Sequence, residues 1–285
     1  MSVIFFERFN MLGEREIAVA VARQLQERGY TALFVGGCVR DKVLGLSPSD
    51  YDVSTTAPLA VVKELITPMA EGIPKAGSSY PVAKFVINGF HIDVTSMKNG
   101  SLVDDTNRRD FTMNAMYEDP LTGEIFDLLH GRRDMELGVL RGIGNVVSHM
   151  KDDIRRMVRA PRFAAVFGYQ IHADVWSASK QCAHLVRDIN QEWLANEMKT
   201  MATGAHLQMA WDFLAWTGVV DHIPAGWVRD CFEGRVSRTS VPQTSDVPLA
   251  VFGSLFRRLC SGNTIFMELS PEPSFGRRGQ AYARR

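Results

Sequence analysis

The stretch Leu33 to Thr56, LFVGGCVRDKVLGLSPSDYDVSTT, constrains this chain more than any other. An apolar run (Leu33, Phe34, Val35) meets two glycines, Gly36 and Gly37, and a helix-compatible segment follows with Arg40 and Asp41 in its first turn. A turn at Gly45 and Pro48 then leads to Asp50-Tyr51-Asp52-Val53. The expected layout is strand, glycine turn, helix, strand. Amides freed at a glycine turn before a helix make an anion site, and phosphate is the usual guest. Arg40, one turn in, adds a charge-assisted contact. Residues two apart on a strand share a face, so Asp50 and Asp52 are expected side by side. Two carboxylates beside a phosphate nest suit Mg²⁺, which takes hard oxygen ligands and shares them with substrate phosphates.

At 285 residues the chain has room for one large domain or two smaller ones. A hydrophobic content of 46% is that of a globular protein. No apolar run reaches ~18 residues, so no membrane span is expected. Ile4-Phe5-Phe6 is too short for a signal-peptide core, and acidic Glu7 follows it. Cys38, Cys182, Cys231 and Cys260 are scattered, which fits reduced thiols in a cytoplasmic protein better than a disulfide frame or a zinc site. Lys and Arg balance Asp and Glu at 32 each. A nucleic-acid partner therefore has to be argued from local patches.

Glu14 to Arg28 reads as an amphipathic helix, with Ile17, Val21 and Leu25 on one face and Gly29 as its stop. Leu59 to Leu65 is a second helical pattern, opened by Pro58. Phe85 to Ile92 reads as two strands joined by Asn88-Gly89, the strongest short hairpin signal. The second strand carries Asp93. A third carboxylate beside Asp50 and Asp52 is what two-metal phosphoryl chemistry needs; the alternative is that Asp93 ends a strand and faces water. Lys98 to Asp105 is polar and is expected to be a mobile loop. It leads into RRDFTMNA, Arg108 to Ala115. Two arginines can clamp triphosphate or ribose oxygens bidentately. Asp110 and Asn114, four apart on a helix face, can hold a ribose hydroxyl, unless Asp110 is simply a cap. Ala210 to Val220 reads as an apolar helix ending at Gly218, with Trp211, Phe213, Leu214 and Trp216 in the core. Residues 234–246 look like a linker and 249–259 like one more helix. The tail 270–285 carries Arg277, Arg278, Arg284 and Arg285 around Tyr282, either to touch RNA phosphates or to lie solvated.

These segments resemble the class II tRNA nucleotidyltransferase/poly(A) polymerase family. Leu33 to Thr56 matches the family's first motif, GGxVRDxxLGxxxxDxDxxT, over its full length, and RRDFTMNA matches RRDFTxNA without a gap. Gly123 to Asp127 and Gly131 resemble the strand and turn that follow. The family has an acidic residue in the strand of Asp93, which makes Asp93 a candidate catalytic group. KDDIRRMVRAPRFAAVFGY, Lys151 to Tyr169, resembles the family's base-reading helix, EDxxRxxRAxRFAA. Its register places Asp153, Arg156, Arg159 and Arg162 on nucleotide-contacting positions. Asp152 stands where the family has Glu, and Pro161 departs from the pattern; it should kink the helix near Met157. In the later SPERxxxE region Glu192 and Glu197 are kept, but Trp193 replaces the arginine. Little room then remains for the further helical regions that relatives carry, so a short or truncated member is expected.

Base choice without a template has a simple chemical basis. Cytosine and adenine both present an exocyclic amine beside a ring-nitrogen acceptor, and uracil and guanine present the reverse. A carboxylate and a guanidinium one helical turn apart, Asp153 with Arg156, therefore match C and A and leave U and G facing like partners. The alternative is an ordinary surface ion pair.

The resemblance implies an α+β fold: a polymerase-beta-like nucleotidyltransferase head with a small mixed sheet (1–145), an all-helical neck with the base-reading helix (146–225) and a short body with a basic tail (226–285). It implies template-independent addition of CTP and ATP to a tRNA 3′ end, with Asp50 and Asp52 holding two Mg²⁺ ions. Asp93 would bind the hydroxyl-side metal or accept its proton. Gly36, Gly37, Arg40 and Arg109 would hold the nucleotide's triphosphate and ribose. A poly(A) polymerase and an A-only or CC-only adding enzyme share every motif. A non-catalytic RNA-binding relative is the alternative from another class, and it predicts loss of the metal carboxylates, both of which are present. Composition leaves the oligomeric state open.

Overall fold

The computed structural model describes residues 12–72, 75–76, 81–233 and 235, and the chain divides into two compact units after Leu137. The first unit opens on α1 (Glu14–Gln26), whose buried residues Ile17, Ala18, Val21, Ala22 and Leu25 form one stripe. The chain then turns through Gly29 at φ 83°, a left-handed value that glycine takes freely. β1 (Ala32–Val35) is buried along its whole length. It runs into α2 (Gly37–Val43) and returns as β2 (Asp52–Thr55). α3 (Leu59–Ile66) follows, capped by Pro58, and sinks Val62 and Ile66.

β3 (Lys75–Ala76), β4 (Val82–Ile87) and β5 (Phe90–Ser96) come next. Asn88 and Gly89 both have positive φ, 52° and 77°, as a two-residue hairpin of this hand requires. β6 (Tyr117–Glu118), β7 (Ile125–Phe126) and α5 (Gly131–Glu136) close the unit. The seven strands form one mixed sheet in the order β3-β4-β5-β2-β1-β6-β7. β2 is antiparallel to β1 and parallel to β5, so the strand that begins with Asp52 lies mid-sheet.

The expected loop before Arg108 is a helix. α4 (Leu102–Asn107) is capped by Ser101, whose side chain accepts the Asp104 N–H. Leu102 packs against Leu33, Val35, Met97 and Tyr117. Asp105 is fully buried. Polarity misleads here because the buried carboxylate has arginine counter-ions, which periodicity does not show.

The second unit is the expected helical region, with one small addition. β8 (Val139–Leu140) pairs in parallel with β9 (Gln170–Ile171). The helices are α6 (Val146–Asp152), α7 (Arg156–Phe167), α8 (Ala173–Cys182), α9 (Gln191–Ala202), α10 (Leu207–Thr217) and α11 (Ala225–Phe232). The stretch expected as one base-reading helix is thus two, separated at Asp153, which is extended at φ −142°, ψ 96°. α7 then runs on through Pro161, which is buried within it. Trp211, Phe213 and Leu214 lie in the core as expected, but Trp216 is 42% exposed. It stands edge-on to Trp176 with the Lys180 ammonium 4.5 Å above its ring. Among the described residues no helix is long and apolar enough to cross a membrane. The linker, last helix and basic tail expected at 234–246, 249–259 and 270–285 lie outside the described residues, except Arg235.

Candidate active site

The site of the first unit is built around the Gly36-Gly37 turn. Gly36 precedes α2 at φ 81°, ψ −128°, a conformation that a residue with a Cβ resists. A Cβ built there would lie 3.9 Å from Arg109 Nη1 and 4.0 Å from Asp52 Oδ2. One at Gly37 would lie 3.6 Å from Arg40 Nη2 and 3.8 Å from Asp50 Oδ1. Both aspartates and both arginines therefore face the same turn. Asp52 opens β2, while Asp50 stands before the strand and not within it, exposed and accepting from Ser49 Oγ at 3.3 Å.

Asp93 sits on β5 immediately before Val94, the register partner of Val53. Asp52 and Asp93 thus occupy matching places on neighbouring parallel strands. On the other side, Lys84 of β4 lies directly opposite Asp93 and forms an ion pair with it. The charges register on Asp52: burial, and then the neighbouring Asp50 and Asp93, push its carboxyl up to about 7, against the pull of Arg109 and Lys84. Burial, with Asp52 close by, pushes the Cys38 thiol up to about 12, so it is an inert neighbour at neutral pH.

The RRDFTMNA residues meet by a tighter path than one helix face. Arg108 ends α4, Phe111 is extended at φ −133°, ψ 151°, and Thr112–Asn114 make a 3₁₀ turn. That turn still brings Asn114 Nδ2 to 3.2 Å from Asp110 Oδ1, and Arg40 Nη1 donates to Asn114 Oδ1 at 2.9 Å. Arg40 also donates through Nε to Asp41 at 2.8 Å. Gly131 fits under this turn because a Cβ there would lie 2.3 Å from the Thr112 carbonyl oxygen.

Arg109 donates through Nη2 to Asp105 at 2.9 Å and through Nε to the Tyr117 hydroxyl at 3.1 Å. Burial alone would raise the Asp105 carboxyl, but the Arg109 and Arg108 guanidiniums outweigh it and hold Asp105 below the usual carboxylate range. Asp105, Tyr117 and Lys84 were not among the sequence-derived site residues. The spacing of Asp105 four residues before Arg109 was the one available signal.

The donor set fits a divalent cation. Asp50 and Asp52 offer hard oxygens, and the Asp52 carboxyl, raised by burial and then by the charges of Asp50 and Asp93, is one whose ionised form such an ion stabilises. Among the described residues no three His, Cys, Asp or Glu side chains gather closely enough to hold an ion alone. Two carboxylates shared with substrate oxygens are the usual arrangement for Mg²⁺.

In the second unit Asp153 is held by Arg155, a residue outside the four expected to contact the nucleotide. Arg155 donates to it through Nε at 2.7 Å and Nη2 at 2.9 Å, and its backbone N–H adds a third bond at 3.1 Å. The same guanidinium lies 5.9 Å from the Trp193 ring centre. Arg156 is buried and donates to the His149 carbonyl at 3.0 Å. Arg159 lies 5.4 Å from the Phe163 ring centre. Arg162 pairs with Glu197 at 2.6 Å and lies 3.9 Å from the same ring centre.

With this geometry in place, a family model for the poly A polymerase head domain matches residues 32–141. Those residues are a poly A polymerase head domain. The matched stretch contains the glycine turn, all three candidate carboxylates and both arginines. The chain is also 33% identical over 206 residues to a CC-adding tRNA nucleotidyltransferase of Halalkalibacterium halodurans, covering 72% of this chain and 53% of the relative. It is 33% identical over 223 residues to a CCA-adding enzyme of Geobacillus kaustophilus, covering 73% and 54%. Among solved structures, the Bacillus stearothermophilus CCA-adding enzyme in complex with CTP superposes with a TM-score of 0.66 at 32% identity, covering 75% of this chain and 55% of that one. The chain spans about half the length of the curated relatives it matches. Beyond the head domain, its helical unit follows the same architecture.

Proposed function

We propose that the chain transfers nucleotides, without a template, to the 3′ end of an RNA, and that the reaction is addition of CTP and ATP to tRNA. The observation that carries this reading is the convergence of Asp50, Asp52, Arg40 and Arg109 on one glycine turn. Several relatives bear the name CCA-adding enzyme, and one solved relative was captured with CTP.

Each residue has a defined task. Asp50 and Asp52 would hold Mg²⁺, which lowers the pKa of the attacking 3′-hydroxyl and offsets the charge of the departing pyrophosphate. Arg109 and Arg40 meet phosphate or ribose oxygens with fixed guanidinium planes. Asp110 and Asn114, hydrogen-bonded to each other, would hold a ribose hydroxyl. Asp93, paired with Lys84 and near enough to Asp52 to act on its charge, would bind the hydroxyl-side metal or accept the hydroxyl proton. Asp153, Arg156, Arg159 and Arg162 would carry base choice, by the complementarity of a carboxylate and guanidinium to the pairing edges of C and A, which requires Asp153 to leave Arg155 and Arg156 to leave the His149 carbonyl.

A CC-only product is the second reading, because the H. halodurans relative carries that name. The test is incubation of the purified chain with Mg²⁺ and tRNAs lacking one, two or all three nucleotides of the CCA end, each nucleotide supplied separately. Two C additions followed by one A, then arrest, support the proposal. Arrest after two C additions supports the CC-only reading. A long A ladder on any RNA, or no incorporation, contradicts both.

A further inference from the structure

Asp105 accepts from four side chains, and the roles assigned so far leave it without a task. It is fully buried. Its carboxylate accepts from Arg108 Nε at 2.6 Å, Arg109 Nη2 at 2.9 Å, the Tyr117 hydroxyl at 2.7 Å and Ser54 Oγ at 3.0 Å. These donors come from three places in the fold. Ser54 lies on β2, two residues after Asp52 and on the same face of that strand. Tyr117 opens β6. The two arginines leave the end of α4.

Arg109 needs such a holder. Its positive charge acts on Asp52 and lowers that carboxyl's pKa, so the guanidinium stands within the field of the Asp50-Asp52 pair. Left to itself, a mobile cation beside two carboxylates swings onto them and cancels the charge that a metal ion requires. Asp105 offers it a competing carboxylate. With Nη2 bonded to Asp105 and Nε to Tyr117, the planar fork has one orientation, and Nη1 is directed at the Gly36 turn.

We propose that Asp105 is a positioning residue for nucleotide binding: with Tyr117 it holds Arg109 toward the glycine turn and off the Asp50-Asp52 pair. The inference rests on the nucleotidyltransferase reading and deepens it, by assigning the binding of the polyanionic part of the nucleotide to a preset guanidinium. Because the bond acts on phosphate or ribose and not on the base, it serves ATP and CTP alike.

The test uses the full chain, with direct binding of MgATP and MgCTP by calorimetry beside steady-state kinetics. Asp105→Asn keeps the shape and removes the charge. It should weaken binding and raise KM for both nucleotides by about 10- to 100-fold, the range for losing a charged hydrogen bond. KM for the RNA and the order of bases added should not change. Arg109→Lys alone should show a similar loss, and in the double variant the two losses should not multiply. Multiplied losses within a factor of about 2, the mark of independent sites, would overturn the proposal. So would a folded Asp105→Asn protein that binds both nucleotides as wild type does. Should Asp105→Asn fail to fold, Tyr117→Phe removes the other bond to Arg109. It should raise both nucleotide constants several-fold, and unchanged constants there overturn the proposal. A wild-type protein that binds nucleotides without incorporating them removes the transferase reading but not this one. A wild-type protein that binds neither nucleotide removes both.

Discussion

Asp52 concentrates the physical chemistry of the head domain in one side chain. Its carboxyl is raised to about 7 by burial and by the charges of Asp50 and Asp93. A raised carboxyl binds its proton more tightly in the folded chain than in the unfolded one. The stability it contributes is therefore complete below the unfolded value near 4 and is lost as pH rises through about 7. In metal-free protein, Asp52→Asn should raise the melting temperature at pH 8, by an amount equivalent to on the order of 4 kcal/mol at most, and leave it nearly unchanged at pH 4. Added Mg²⁺ should shrink the difference at pH 8 by stabilising the wild type more. Thermal melts across pH, with and without Mg²⁺, check this; equal melting temperatures at pH 8 without metal contradict it. A variant that gains stability while losing activity is the signature of a group strained for function.

Between elements, close backbone approach sets the constraints in the helical unit. Gly204 follows α9, and a Cβ there would lie 2.5 Å from the backbone of Ala165 in α7. The His206 N–H donates to that same Ala165 carbonyl at 2.9 Å. Gly204→Ala should cost about 2 kcal/mol or more, because backbone on both sides must shift. Gly226, in α11, has nothing near its Cβ position, so Gly226→Ala should be neutral or stabilise by up to about 1 kcal/mol. Denaturant midpoints of the two variants separate them.

What was legible from sequence follows the range of each interaction. The glycine turn, the Asn88-Gly89 hairpin, the Pro58 cap and the Gly218 stop all depend on neighbours in the chain, and each stands where its residues imply. α4 has the polarity of a loop, and what lets it fold as a helix, the bonding of its buried Asp105 to Arg108, Arg109, Tyr117 and Ser54, is assembled by the sheet. The break at Asp153 was equally hidden. A carboxylate bonded to the N–H two residues on competes with the helix, and the choice depends on Arg155 closing over it. Trp216 was placed in the core on apolar periodicity alone, whereas its ring leans on Trp176 at the surface.

For the whole molecule, the two units divide the proposed work: the head domain carries transfer and the helical unit carries base choice. Asp153→Ala should leave addition intact but admit UTP or GTP, with discrimination falling by about 10-fold or more, as expected when a mismatched acceptor no longer meets a carboxylate. Misincorporation assays with single nucleotides measure it, and unchanged discrimination moves base choice elsewhere. The chain spans about half of its curated relatives, so these tests belong on this chain as it stands. The central claim, that Asp50 and Asp52 together carry the transfer, is tested most directly by labelled CTP and ATP incorporation into tRNA lacking its CCA end. Wild type is compared there with a folded Asp50→Ala/Asp52→Ala variant in the same Mg²⁺ buffer. The account predicts incorporation by wild type and none above background by the variant; equal incorporation by the two proteins contradicts it.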